Sequence, residues 1–407
     1  MGKIEYAFLS TLIPKELEDD VRSKSIANMP DAAIALQNHL YSGLYRNITQ
    51  PICIFNILPI GSFPQNYKSA FISEDLFSTP EQSKLYNLGF CNIKLIRRYD
   101  QPRRIYKAIS KWCARNTSSK VLFVYTLSSS FMIAVHRLKR EFPQLKVCAI
   151  VADLPNMGCL ASNQSGLKKR FIDKFANESY SRLDAVDYFV LLTQQMADYM
   201  HITQPYCVVE GIATQPKEMV QEGGAESGFK TIMYTGTLHK KFGILNLLKA
   251  FEQIEGSEYR LIICGIGDSE EEIRRAAEAD HRIDFRGQLT REEVLKLQRS
   301  ASVLVNPRQN TEEFTKYSFP SKNLEYLSSG IPLVAYKLDG IPDEYDEHIY
   351  YVQDNSVVAL KNRLVEVCEM DARLRRKKAT AAQKYVLAEK NEVKQTEKIL
   401  KLIQTEI

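Results

Sequence analysis

Short apolar runs alternate with longer stretches of helical periodicity along most of the chain. In the first half, residues 4–9, 52–58, 121–125, 147–151, 185–192 and 206–209 have the length and composition of strands, and 93–96 is a shorter candidate. Between them, 32–44 carries Ala33, Leu36, Leu40 and Leu44 on one helical stripe, and 131–141 and 194–200 are further helices. Residues 10–30 and 59–62 are polar connections. The second half repeats the rhythm, with strands at 231–234, 259–264, 282–285, 301–305 and 331–336 and helices at 245–254, 270–279 and 291–300. A polar, glycine-rich stretch at 215–230 separates the halves as a linker, and 371–407 is one or two charged amphipathic helices. Strands alternating with helices at this spacing predict an α/β chain built from two Rossmann-like doubly wound domains, 1–212 and 213–386, facing across a cleft.

The stretch from Asn306 to Pro332 draws the candidate chemistry together. A buried strand is followed by a polar loop, a helix that Gly330 and Pro332 should stop, and a further apolar run. This order puts the loop and the helix start at the carboxyl edge of a parallel sheet, where α/β proteins bind ligands. The first amides of a helix lack backbone partners, and phosphate fits there. Ser321, Lys322 and Glu325 lie within one turn of each other, a set suited to a ligand with both phosphate and sugar hydroxyls. Gly236, between strand and helix, permits a close turn, and Lys241 beyond it can meet a diphosphate as a point charge. Gly265 opens a G-x-G without the third glycine of a dinucleotide site. Arg308 ends a strand at the same edge. In the first half, Asp153 leaves a strong strand; ordinary turn chemistry also uses an aspartate there. The histidines show no metal-ligand spacing, and no metal is expected.

Composition narrows the class. The 407 residues are 44% hydrophobic and 25% charged, enough for two ordinary soluble cores. No apolar run approaches the roughly 20 residues needed to span a bilayer, so the expected compartment is the cytoplasm. The eight cysteines are scattered and read as free thiols. A net charge of +5 does not by itself point to nucleic acid. Two basic stretches with interleaved aromatics, 97–115 and 166–180, suit the inner face of an anionic membrane as well as they suit a solvated helix face.

Taken together, Tyr234-Thr235-Gly236-Thr237-Leu238 with Lys241, Ile262 through Asp268, Ile283 through Leu289 including Arg286, and Phe319 through Pro332 resemble the retaining, nucleotide-sugar-dependent glycosyltransferases of group 1 (family 4-like), which have the GT-B fold. The resemblance implies that the C-terminal domain holds a nucleotide sugar, expected to be UDP-linked, and that helix 387–407 crosses back to an N-terminal acceptor domain. It implies that Glu325 binds the ribose, that Lys241 neutralises the diphosphate, and that the backbone at Ser318, Phe319 and Ser321 meets phosphate. Three positions depart from the pattern. Tyr317 stands where the first glutamate of the E-x7-E motif belongs, Thr237 replaces an arginine for which Arg308 can substitute, and Ala152 replaces a histidine before Asp153. The implied reaction is transfer of a sugar to a hydroxyl of a glycan or lipid-linked acceptor in cell-surface polysaccharide synthesis, without cofactor. A non-catalytic nucleotide-sugar-binding partner subunit and a sugar-nucleotide 2-epimerase are the alternatives.

Overall fold

A computed structural model describes residues 4–115, 118–157, 167–215 and 228–404. Most of the 215–230 linker lies outside the described residues. The chain divides into two compact units, residues 1–212 with 392–407, and 213–391.

The first unit is built on an eight-stranded sheet. Its strands are β1 (Ile4–Ser10), β2 (Cys53–Asn56), β4 (Asp75–Ser78), β5 (Lys84–Asn87), β7 (Ser119–Tyr125), β8 (Lys146–Val151), β9 (Tyr188–Leu191) and β10 (Tyr206–Val208), while β3 (Phe71–Ile72) and β6 (Phe90–Cys91) form a separate antiparallel ribbon. Sheet order is β10-β9-β8-β7-β1-β2-β5-β4, parallel except for β4 at one edge. The central strands are buried on both faces, as their unbroken apolar runs require. Helices α1 (Glu18–Lys24), α2 (Asp31–Ile48), α3 (Lys94–Cys113), α4 (Ser129–Glu141), α5 (Leu167–Tyr180) and α6 (Gln195–Met200) connect them. Ser128 caps α4 by accepting the Phe131 N–H.

Two expectations fail in this unit. Residues 93–96 are not a strand: Lys94 starts the 20-residue α3, and the apolar side chains that read as a buried run face outward. Residues 10–30 are not all loop, because Glu18, Asp19 and Asp20 sit in the first turn of α1, where the helix dipole favours them.

The second unit has a six-stranded parallel sheet of order β13-β12-β11-β14-β15-β16. The strands are β11 (Lys230–Thr235), β12 (Tyr259–Cys264), β13 (Ile283–Gly287), β14 (Val303–Asn306), β15 (Leu333–Tyr336) and β16 (Tyr350–Val352). The helices are α7 (Ile244–Glu252), α8 (Glu270–Ala279), α9 (Arg291–Ser300), α10 (Ser321–Ser328), α11 (Val357–Glu369) and α12 (Ala372–Glu389). Thr290 and Glu293 form a reciprocal capping box at the start of α9. Strand order reverses direction at β11 and β14, so the loops after these neighbours open at a topological switch point.

The chain leaves α12 and ends in α13 (Glu392–Gln404), which packs on α2 in the first unit. A Cβ on Gly43 would lie 2.2 Å from the Glu392 carbonyl oxygen, so only glycine admits this approach. Asn47 donates to the Val393 carbonyl at 2.8 Å, and Glu392 takes Arg46 at 2.9 Å and His39 at 3.3 Å. The units divide after Asn391 rather than at 386/387, a position inside α12. At that division the Ala213 N–H donates to the Lys390 carbonyl at 2.8 Å, so the outgoing and returning chain lie side by side. Lys390 is fully buried over the rings of Tyr345 and Tyr385 and pairs with Glu344.

Candidate functional site

The loops after β11, β12 and β14 and the start of α10 meet through glycine. A Cβ on Gly265 would fall 1.8 Å from the Gly236 carbonyl oxygen, so the turns after β11 and β12 touch backbone to backbone. Gly243, at φ 81°, turns the β11 loop into α7, and a Cβ there would fall 1.9 Å from the Pro307 carbonyl oxygen. The β11 loop is thereby pressed against the β14 loop that carries Arg308.

This approach brings Lys241 and Arg308 together. The Lys241 ammonium lies 5.3 Å from the Phe242 ring centre and 5.8 Å from that of Phe314; the Arg308 guanidinium lies 5.5 Å and 4.5 Å from the same rings. Both are within cation–π range. Lys241 is exposed and Arg308 part-buried. Arg308 Nη2 donates to Ser318 Oγ at 2.7 Å, while Nε is buried without an acceptor. Burial lowers the guanidinium to about 10, so it stays charged near neutrality. Among the described residues Arg308 has no carboxylate partner. The unpartnered Nε is a donor that an anionic oxygen can satisfy.

Glu325 is held from two sides. Its Oε1 accepts from Gln298 Nε2 at 2.8 Å and from the Lys322 ammonium at 3.0 Å. Burial alone would raise the carboxyl, but the Lys322 charge and these hydrogen bonds outweigh it and hold Glu325 below its ordinary value. The same Gln298 nitrogen donates to Thr235 Oγ1 at 3.0 Å, and Tyr326 OH meets Thr235 at its backbone N–H, 2.8 Å, and carbonyl, 2.9 Å. The carboxylate is therefore tied to the end of β11. Lys322 also overhangs the β11 turn, since a Cβ on Gly236 would meet its Cε at 3.6 Å. Asn306 donates to Asn323 at 2.7 Å, fixing α10 against β14. Pro320 precedes α10, and no side chain caps its first turn.

The remaining expected residues fall in three places. Thr237 is exposed, with its carbonyl accepting from Tyr234 OH at 2.9 Å. Ser321 is exposed at the first position of α10, and Phe319 is buried against the Tyr345 ring. Tyr317 closes a 3-10 turn, Glu313–Tyr317, and is part-buried. Arg286 does not join the cluster: it is exposed on edge strand β13 and paired with Asp284 at 2.7 Å. Asp153 belongs to the first unit, after β8. The residue keeps an exposed surface at the strand end, but desolvation by the protein around its carboxyl pushes that group up to about 6.

Gln298, Tyr326, Phe242 and Phe314 were not foreseen. Gln298 sits in a helix rich in charge and has no local sign of being buried, yet it is wholly enclosed. The aromatic pair had a faint signal, since each flanks a loop that carries a candidate cation. Among the described residues no three His, Cys, Asp or Glu side chains gather as a metal site.

Comparison with known proteins bears on the fold and on the second unit. Residues 229–370 match the family model described as glycosyl transferases group 1. No curated protein matches the sequence. Among solved structures, sucrose-phosphate synthase from Thermosynechococcus elongatus superposes with TM-score 0.67 at 14% identity, covering 98% of each chain. A lipopolysaccharide outer core galactosyltransferase gives 0.63 at 13%, over 99% of this chain and 100% of its own. The Escherichia coli structure described as trehalose-6-phosphate bound with UDP-2-fluoro glucose gives 0.63 at 10%, over 97% and 98%. At these identities the likeness is one of fold. The chain has the GT-B fold of two Rossmann-like units, and its second unit contains the stretch that matches the glycosyl transferases group 1 model.

Proposed function

We propose that the chain is a retaining glycosyltransferase that moves a sugar from a nucleoside diphosphate sugar, UDP-linked, to a hydroxyl of a glycan or lipid-linked acceptor in cell-surface polysaccharide synthesis. The observation that carries this reading is Arg308, a part-buried cation with an orphaned Nε, sharing the Phe242 and Phe314 rings with Lys241. Two cations at one loop junction repel each other, and a diphosphate relieves both. Glu325, with Oε1 already occupied, offers Oε2 to a pair of ribose hydroxyls. The uncapped amides at the start of α10, with Ser318 and Phe319 before it, suit phosphate oxygens.

Cleavage of the sugar–phosphate bond leaves its electron pair on the departing diphosphate. Lys241 and Arg308 would stabilise that growing charge, Arg308 from its partly desolvated position beside the Phe314 ring. UDP is favoured because a neighbour of the same fold is described with UDP-2-fluoro glucose. Asp153 is proposed to act from the acceptor side.

Tyr317 favours a second reading, in which the chain binds the nucleotide sugar as a non-catalytic partner subunit. A panel of nucleotide sugars with and without lipid-linked and glycan acceptors, read as diphosphate release, separates the two. Acceptor-dependent release is the expected result. Donor binding without release would favour the partner subunit, and inversion of the sugar at C2 without an acceptor would favour an epimerase.

A further inference from the structure

The first two turns of α3 expose an apolar face. Leu95 is 78% exposed, Tyr99 75%, Ile96 49% and Ile93, just before the helix, 37%. Leu95 and Ile96 lie four and three positions before Tyr99, so the three share one side of the helix. The opposite side is spent on the core, where Gln101, Ile105, Ile109 and Trp112 are buried. Side chains of this size do not cluster in water without cause.

The patch continues onto α5. The Arg98 guanidinium lies 5.0 Å from the Phe175 ring centre and pairs with Glu178 at 3.2 Å, so its side chain bridges the two helices and Phe175, 37% exposed, joins the patch. Lys94 and Arg103 are exposed on α3, and Arg170 and Lys174 on α5. The acidic side chains nearby are largely spent. Asp100 accepts the Cys91 N–H at 2.8 Å and pairs with Arg104 at 3.3 Å, and Glu178 takes Arg98 and Ser129. Asp173 remains, against the surrounding cations.

The structure thus moves the expected membrane-facing residues. Arg97 and Trp112, part of the basic stretch at 97–115, turn inward: Arg97 donates to the Ile60 carbonyl at 2.8 Å, and Trp112 is core. Lys168 and Lys169 lie outside what the structure describes. Aliphatic side chains at the tip, a tyrosine beside them and a ring of cations match the depth profile of a bilayer interface, apolar inside and anionic at the headgroups. Among the described residues no helix is long and apolar enough to cross a membrane. We propose that Leu95, Ile96, Tyr99 and Phe175 dip into an anionic bilayer surface while Lys94, Arg103, Arg170 and Lys174 meet its lipid headgroups.

Co-sedimentation of the full chain with vesicles of phosphatidylcholine, alone or mixed equally with phosphatidylglycerol, tests this. The wild-type chain should pellet with the mixed vesicles only. Lys94→Gln with Arg103→Gln should weaken that binding roughly thirtyfold, from about 1 kcal/mol for each cation lost. Leu95→Ser, Ile96→Ser and Tyr99→Ser together should abolish it, and these positions are exposed, so circular dichroism should be unchanged. Failure of the wild-type chain to pellet, equal pelleting of both variants, or equal binding to neutral vesicles would overturn the proposal. So would concentration-dependent dimerisation lost in the serine variant without vesicle binding, which would make the patch an interface between copies. Binding is read without donor or acceptor, so loss of the transfer reaction would leave this inference intact.

Discussion

Gln298 and Glu325 are joined by a 2.8 Å hydrogen bond from the buried amide to Oε1, the same oxygen that takes Lys322. The carboxylate is oriented before any ligand arrives, and Oε2 has no protein donor among the described residues. Gln298→Leu should therefore weaken UDP binding about tenfold, the loss expected when a charged acceptor forfeits one hydrogen bond. Titration calorimetry checks it; unchanged affinity would remove Gln298 from the site.

Lys241 and Arg308 share the Phe242 and Phe314 rings, and this makes their losses interdependent. Lys241→Ala should lower kcat about 100-fold while donor affinity changes far less, as for a group that acts mainly on charge developing in the transition state. The double variant with Arg308→Ala should fall short of the product of the single losses. Equal losses in Kd and kcat/KM would reduce Lys241 to a binding residue.

The lowered pKa of Glu325 has a fixed sign. A carboxyl held below its unfolded value of 4.5 contributes stability that is fully present above that value and is lost as pH falls through the folded one. Acid unfolding of Glu325→Gln should lack this component, so the gap between variant and wild type should narrow as pH drops below 4.5. A gap independent of pH would contradict the ion pair with Lys322.

Asp153 shifts the other way, to about 6. If transfer uses its carboxylate, the rate rises with pH through that region, because the ionised form appears there. Asp153→Asn should flatten the limb. A persisting limb would assign it to another group.

Gly43 sets the contact between α2 and α13. Gly43→Val would drive a side chain into the Glu392 carbonyl and should cost about 1–3 kcal/mol, read as a lower Tm of the whole chain. Wild-type stability in this variant would mean that α13 shifts without cost.

Most periodic elements of the second unit were legible in the sequence because local pattern decides them, although β16 and α11 were not read there. Helices α8 and α9 begin and end where their periodicity does, whereas the sequence marked Gly236 as a turn without showing that it would meet Gly265 backbone to backbone. What eluded reading depends on contacts far apart in the chain. Gln298 becomes internal only through Thr235 and Glu325, 63 and 27 residues away. Strands β4 and β5 are four residues each with polar ends, too short to outweigh turn signals. At 93–96 the run was apolar for the opposite of the usual reason, exposure rather than burial. Arg286 fell within a family-like motif, but the edge position of β13 leaves it apart from the cations around Phe314.

The hydrogen bond from Ala213 to Lys390 makes the second unit an insertion whose two ends nearly coincide. The stretch matched as a group 1 glycosyltransferase, 229–370, lies wholly within that insertion. A segment with coincident ends can be exchanged by recombination without rethreading its host, so the two units are free to diverge at different rates. A second unit that matches a family model, carried by a first unit outside that match, is the trace such a history leaves.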